Sequence, residues 1–168
     1  FVSACAFANV SLPALIADNM MLQQKTRVTL WGWASPGEKV EITAGWLKAP
    51  VSTVTDKKGD WTVNIPTIAA GGPYTLTFKA SNTITIKNVP LGEVWICSGQ
   101  SNMEFTIAKG PRSWEAGVNN YEQEVAKINN PEIRMFTVEE VATDTLKKDT
   151  KGEWQEANPQ NARLFSAV

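Results

Sequence analysis

The residues in this chain best able to do chemistry lie together at Val94-Trp95-Ile96-Cys97-Ser98-Gly99-Gln100-Ser101-Asn102-Met103-Glu104. An apolar run leads into a tight Gly-Gln-Ser-Asn turn. A sharp turn at the end of a strand can lift a serine hydroxyl into solvent, which suits a nucleophile. Serine attacks poorly until a base takes its proton, and the usual base is a histidine oriented by a carboxylate. This chain has no histidine. Acyl-transfer chemistry at Ser101 would therefore be incomplete with these residues alone.

Other readings of the same stretch need weighing. Ser101-x-x-Glu104 fits a capping box, so Ser101 could open a helix, and that role is compatible with nucleophilic attack. Ser98 is the competing serine. It lies nearer the strand, and a buried hydrogen-bonding role suits it better. Met103 stands where a Gly-x-Ser-x-Gly elbow would have its second glycine, so that motif does not match. Cys97 reads as one more packing residue of the apolar run. Gly99, Gln100 and Asn102 are expected to support the turn around Ser101.

Composition narrows the function classes. Sixteen basic residues against seventeen acidic ones leave no basic excess for phosphate contacts, so nucleic acid is not an expected partner. With two cysteines, Cys5 and Cys97, and no histidine, no ordinary structural zinc set exists. No metal and no cofactor is expected. No run approaches the roughly 20 apolar residues of a membrane span. Residues 1–8 read as the remnant of a secretory signal peptide ending in Ala6-Phe7-Ala8, which implies a secreted or periplasmic protein. Val2-Ser3-Ala4-Cys5 also resembles a bacterial lipobox, which would make Cys5 a lipid attachment site. Cleavage near Ala8 is preferred, because a lipidated Cys5 leaves almost no tether before the first strand. Asn9-Val10-Ser11 is a glycosylation sequon, a weak signal by itself.

The elements that must position Ser101 come in two groups. From about Val10 to Val89 the chain alternates at period two: Thr26–Trp33, Lys39–Thr43, Asp60–Ile65, Tyr74–Phe78 and Thr83–Ile86. Turn signals separate these runs at Ser35-Pro36-Gly37-Glu38, Asp56-Lys57-Lys58-Gly59, Ala70-Gly71-Gly72-Pro73 and Ala80-Ser81-Asn82. Strands at such intervals predict an antiparallel β-sandwich over residues 9–89. After Pro90 the pattern changes. Val94–Cys97 is unbroken apolar, as in a strand buried on both faces of a parallel sheet. Tyr121, Val125 and Ile128 form a helical stripe, ended by Asn129-Asn130-Pro131. Ile133–Val138 reads as a strand, Asp144–Gln160 as a polar loop, and Leu164–Val168 as the first turn of a helix. Strand, helix and strand would open an α/β domain over residues 90–168, too short to cover both faces of its sheet.

Val94–Glu104 closely resembles the first sequence block of the SGNH (GDSL-like) hydrolases, in the Gly-Gln-Ser-Asn-Met form of the sialate O-acetylesterase-like carbohydrate esterases. The resemblance extends to Val10-Ser11-Leu12-Pro13, Asp18-Asn19-Met20-Met21-Leu22-Gln23, Pro90–Trp95, Trp154 and Phe165-Ser166-Ala167-Val168. It implies a β-sandwich followed by the beginning of a flavodoxin-like, three-layer α/β hydrolase domain. It implies Ser101 as the nucleophile, with its own backbone N–H as one oxyanion donor. The family's oxyanion glycine and asparagine, and its aspartate and histidine, have no matching positions in this chain. The expectation is that a C-terminal fragment of the same polypeptide supplies them.

The activity implied is removal of O-acetyl groups from carbohydrate, with an O-acetylated sialic acid as the leading substrate. Acetylated xylan is the alternative within the same chemistry. A sialate site would want an arginine for the carboxylate, and Arg112 stands near the block, though one arginine is thin support. From another class, the chain could be a non-catalytic carbohydrate-binding β-sandwich module, with exposed members of Trp31, Trp33, Trp46 and Trp61 as a stacking face. A catalytically dead remnant is a third reading.

Overall fold

The structure, a computed structural model, describes residues 9–112 and 115–168. The signal-peptide reading of residues 1–8 and lipid attachment at Cys5 fall outside the described residues. Among the described residues the elements are mostly strands, with one α-helix, and the chain divides into two compact units. One unit runs up to Val94 and takes in Glu140–Lys151; the other comprises Trp95–Glu139 and Gly152–Val168.

In the first unit the period-two runs all become strands. They are β1 (Leu22–Gln23), β2 (Arg27–Trp33), β3 (Lys39–Ala44), β4 (Val51–Val54), β5 (Asp60–Pro66), β6 (Gly71–Lys79) and β7 (Thr83–Gly92). A five-stranded sheet has the order β1-β7-β6-β3-β4, and β2 pairs with β5 in a separate antiparallel ribbon. The alternation explains the packing, since β5 buries Trp61, Val63 and Ile65 and exposes Thr62 and Asn64. Inward residues of the ribbon and of the larger sheet meet, with the rings of Trp61 and Phe78 5.8 Å apart. Leu30, Val40, Ile42, Leu76, Phe78 and Val89 are fully buried there. Gly32 is required for this packing. A Cβ at that position would sit 2.3 Å from the Ser11 carbonyl oxygen and 2.7 Å from the Trp61 ring. Two strands were not legible in the sequence: β1, only two residues long, and β4 after Pro50.

The second unit departs from the expected α/β opening. Val94–Cys97 forms no strand. Trp95 is 84% exposed and Ile96 93%. The reason is pairing, because an apolar run becomes a buried strand only when neighbouring strands take up its backbone N–H and C=O groups. The described residues provide none there. Cys97 is exposed rather than packed, and Ser98 is exposed rather than buried. The expected helix forms as α1 (Tyr121–Lys127), with Val125 its buried residue. The following strand is β8 (Asn130–Phe136), and it pairs antiparallel with β9 (Trp154–Ala157), inside the stretch expected as loop. The Leu164–Val168 segment is not the start of a helix. After a turn that ends at Leu164, Phe165–Ala167 pairs with the chain after Ser101, through Ile107 N to Phe165 O (3.1 Å), Ala167 N to Phe105 O (2.8 Å) and a Thr106–Ser166 bridge. The core of this unit is small: Met135, Ala157 and Ala162, flanked by Ile107, Ile128 and Phe165.

Candidate active site

The Gly-Gln-Ser-Asn turn folds locally. Ser101–Glu104 is one turn of 3-10 helix, closed by Met103 N to Gln100 O (2.9 Å) and Phe105 N to Asn102 O (3.1 Å). Gln100 and Asn102 thus hold the turn through their backbone carbonyls. Gly99 gives room for the turn to close: a Cβ there would meet Met103 Cγ at 2.9 Å. The expected capping box is absent. Gln100, not Ser101, occupies the N-cap position, and no side chain caps the turn. Ser101 is exposed, and among the described residues its hydroxyl has no hydrogen-bond partner.

The chain on the downstream side is better anchored. Thr106 and Ala108 are buried, and the Thr106 hydroxyl donates to the Ala108 carbonyl at 2.8 Å. Ala108 N donates to Arg163 O, and Val118 N to Ile107 O. The nucleophile candidate therefore sits on a short turn whose exit is tied into the small core of the second unit.

Arg112 lies in a loop organised by Glu115, a residue the sequence reading passed over. The buried Glu115 carboxylate accepts from Arg112 N at 2.9 Å and stands 3.9 Å from Arg112 Nε. The i,i+3 spacing of Arg112 and Glu115 was the available signal. Upstream, the side-chain amides of Gln23 and Gln24 both donate to Glu93 at 2.8 Å. Those bonds hold the Glu93 carboxyl below its ordinary range. Val94 N in turn donates to Gln23 Oε1 at 2.8 Å, so the chain is pinned where the apolar run begins.

Around Ser101 the arrangement can present a hydroxyl and backbone N–H groups, and the sequence holds no histidine to serve as an imidazole base. Among the described residues no group of three or more His, Cys, Asp or Glu side chains is placed to hold a metal. No helix among them is long and apolar enough to cross a membrane. The tryptophans proposed as a stacking face separate into two sets. Trp46 and Trp61 are buried, and Trp31 and Trp33 are half-buried, so the four do not form one exposed row.

No family model matches the chain. Among solved structures it is similar to a carbohydrate acetylesterase from Xanthomonas citri, with TM-score 0.83 and 31% identity, over 95% of this chain and 35% of that one. In sequence and in fold the chain is thus similar to a carbohydrate acetylesterase. The curated relatives are more particular. The mouse sialate O-acetylesterase is 32% identical over 103 residues, covering 55% of this chain and 19% of that protein. The human sialate O-acetylesterase is 30% identical over 102 residues, covering 55% and 20%. The resemblance to sialate O-acetylesterase-like carbohydrate esterases read from the sequence is therefore borne out. The chain spans about a fifth of the length of the curated relatives it matches.

Proposed function

We propose that this chain carries the N-terminal part of a serine esterase that removes O-acetyl groups from carbohydrate, acting on an O-acetylated sialic acid. The observation that carries this reading is the exposed Ser101 hydroxyl on a 3-10 turn, without a hydrogen-bond partner among the described residues, in a chain similar to sialate O-acetylesterases. In this reading residues 9–89 are a β-sandwich and residues 90–168 begin an SGNH hydrolase domain. Ser101 Oγ attacks the acetyl carbonyl while a base takes its proton. The carbonyl oxygen becomes an oxyanion, stabilised in part by the Ser101 backbone N–H. The tetrahedral intermediate expels the sugar alcohol, which takes up a proton, and water then cleaves the acetyl-enzyme to acetate and free Ser101.

The histidine, aspartate and remaining oxyanion donors come from a C-terminal fragment of the same polypeptide. The exposure of Val94–Cys97 supports that assignment, since a strand of that fragment would cover it. A secreted or periplasmic location follows from reading residues 1–8 as a signal remnant.

The test compares the 168-residue chain, the longer polypeptide and its Ser101→Ala variant on an aryl acetate, on O-acetylated sialic acid and on acetylated xylan. The expected result is turnover by the longer polypeptide, faster on the sialate. The 168-residue chain is expected to be inactive and Ser101→Ala to lose at least about 1,000-fold. Wild-type activity in Ser101→Ala would overturn the nucleophile, and Ser98→Ala would be tested next. A preference for xylan would transfer the substrate assignment.

A further inference from the structure

We propose that the outer face of the β2–β5 ribbon is a binding site for a neutral glycan chain, separate from the Ser101 turn and independent of the esterase reading. Trp31 and Trp33 occupy alternate positions of β2 and so share one face, about 7 Å apart along the strand. Their partners across the ribbon are Thr62 and Asp60. Gly32 between them faces inward, where Trp61 packs against it, so the two outer indoles do not serve that core. The Glu140–Lys151 segment of the same unit crosses this face. Lys148 O accepts from Trp31 Nε1 at 3.3 Å and Lys148 Nζ pairs with Asp60 Oδ2 at 2.5 Å. Between these groups lies an open groove of about 300 Å³, lined by Trp31–Trp33 of β2, by Asp60–Thr62 of β5 and by Lys148.

The chemistry of that groove suits a sugar. A pyranose ring has an apolar C–H face and a rim of hydroxyls. A half-exposed indole offers a flat apolar surface, and its Nε1 bond to Lys148 O fixes the orientation of Trp31. The Asp60 carboxylate, the Lys148 ammonium and the Thr62 hydroxyl offer acceptors and donors at the groove's edge. A groove of this volume stands at the lower end of small-molecule sites, enough for one or two rings of a chain. The ion pair at the edge has no net charge, which favours a neutral glycan over an acidic one.

The test titrates the 168-residue chain calorimetrically with xylohexaose, with cellohexaose, with sialyllactose and with a proline-rich decapeptide. At least one neutral hexasaccharide is expected to bind, more tightly than sialyllactose. Trp31→Ala and Trp33→Ala should each weaken that binding at least tenfold, and Trp33→Tyr should restore most of it. Thr62→Gln fills the groove from an exposed position without touching the core and should weaken binding at least fivefold; it decides the matter if a tryptophan variant fails to fold. Ser101→Ala should leave binding unchanged. The proposal is overturned if neither hexasaccharide binds, if binding survives the tryptophan and Thr62 variants, if it is lost in Ser101→Ala, or if only the peptide occupies the groove.

Discussion

At the scale of single residues, two of the close-approach glycines, Gly32 and Gly99, differ in what surrounds them. Gly32 faces a backbone carbonyl and a buried indole, neither of which can move away cheaply. Gly32→Ala should therefore destabilise the first unit by at least about 2 kcal/mol, read as a lower denaturant midpoint. Gly99 faces Met103, an unbranched and half-buried side chain that can turn aside. Gly99→Ala should leave the stability of the second unit, which holds it, within about 0.5 kcal/mol of wild type. A large loss in that variant would mean that the turn around Ser101 is held far more tightly than its hydrogen bonds indicate. Phe78 completes the set, being fully buried against Trp61. Phe78→Ala should cost about 3–5 kcal/mol.

At the scale of elements, turns carry much of the organisation. Glu38 joins two of them, accepting from Ser35 N at 3.0 Å and from Ser81 N at 2.6 Å. The Ser81 bond is the largest cause of a carboxyl held below its ordinary range; burial opposes it, and the Ser35 bond adds to it. A carboxylate that titrates lower in the folded chain than in the unfolded one stabilises the fold at neutral pH. That contribution is complete above the ordinary glutamate range of about pH 4.3. It is lost as pH falls from there through the lowered folded-state value. Glu38→Gln should reduce stability at pH 7 and flatten the decline between pH 5 and 3, measured by urea midpoints across that range. An unchanged slope would show that the carboxylate does not tie the two turns in solution.

At the scale of the whole molecule, the contrast is between the two units' cores. The first buries large side chains from two sheets, while the second gathers Met135, Ala157 and Ala162 with a few flanking apolar residues. At roughly 1.5–3 kcal/mol per fully buried large side chain, so small a cluster stabilises weakly. Val94, Trp95 and Ile96 stand exposed in the neighbouring run, a patch of the kind that drives association. Cys97 reports on it directly. In the 168-residue chain its exposed thiol should react with a maleimide about as fast as a free cysteine. In the longer polypeptide of the proposed function it should be protected by at least about a hundredfold, if a further strand covers the run. Equal reactivity in both would remove the support that exposure lends to the C-terminal fragment.

The sequence by itself determined the local elements. Strands β2, β3, β5, β6 and β7 and the helix Tyr121–Lys127 follow from periodicity, which each segment carries within its own few residues. The Gly-Gln-Ser-Asn turn was legible for the same reason: its hydrogen bonds span three residues and need no distant partner. The tertiary structure decided what depends on neighbours far along the chain. Val94–Cys97 has the composition of a buried strand and lies exposed, because nothing among the described residues pairs with it. Trp154–Ala157, within a polar stretch, became a strand because β8 lay alongside to take its backbone hydrogen bonds. Phe165–Ala167 paired with Phe105–Ile107 for the same reason. Nor did composition separate Trp31 and Trp33 from Trp46 and Trp61. Only the pairing of β2 with β5 and the crossing of Lys148 left the first two at the edge of a groove while the others went into the core. Backbone pairing is a relation between segments, and no single segment records whether its partner is present.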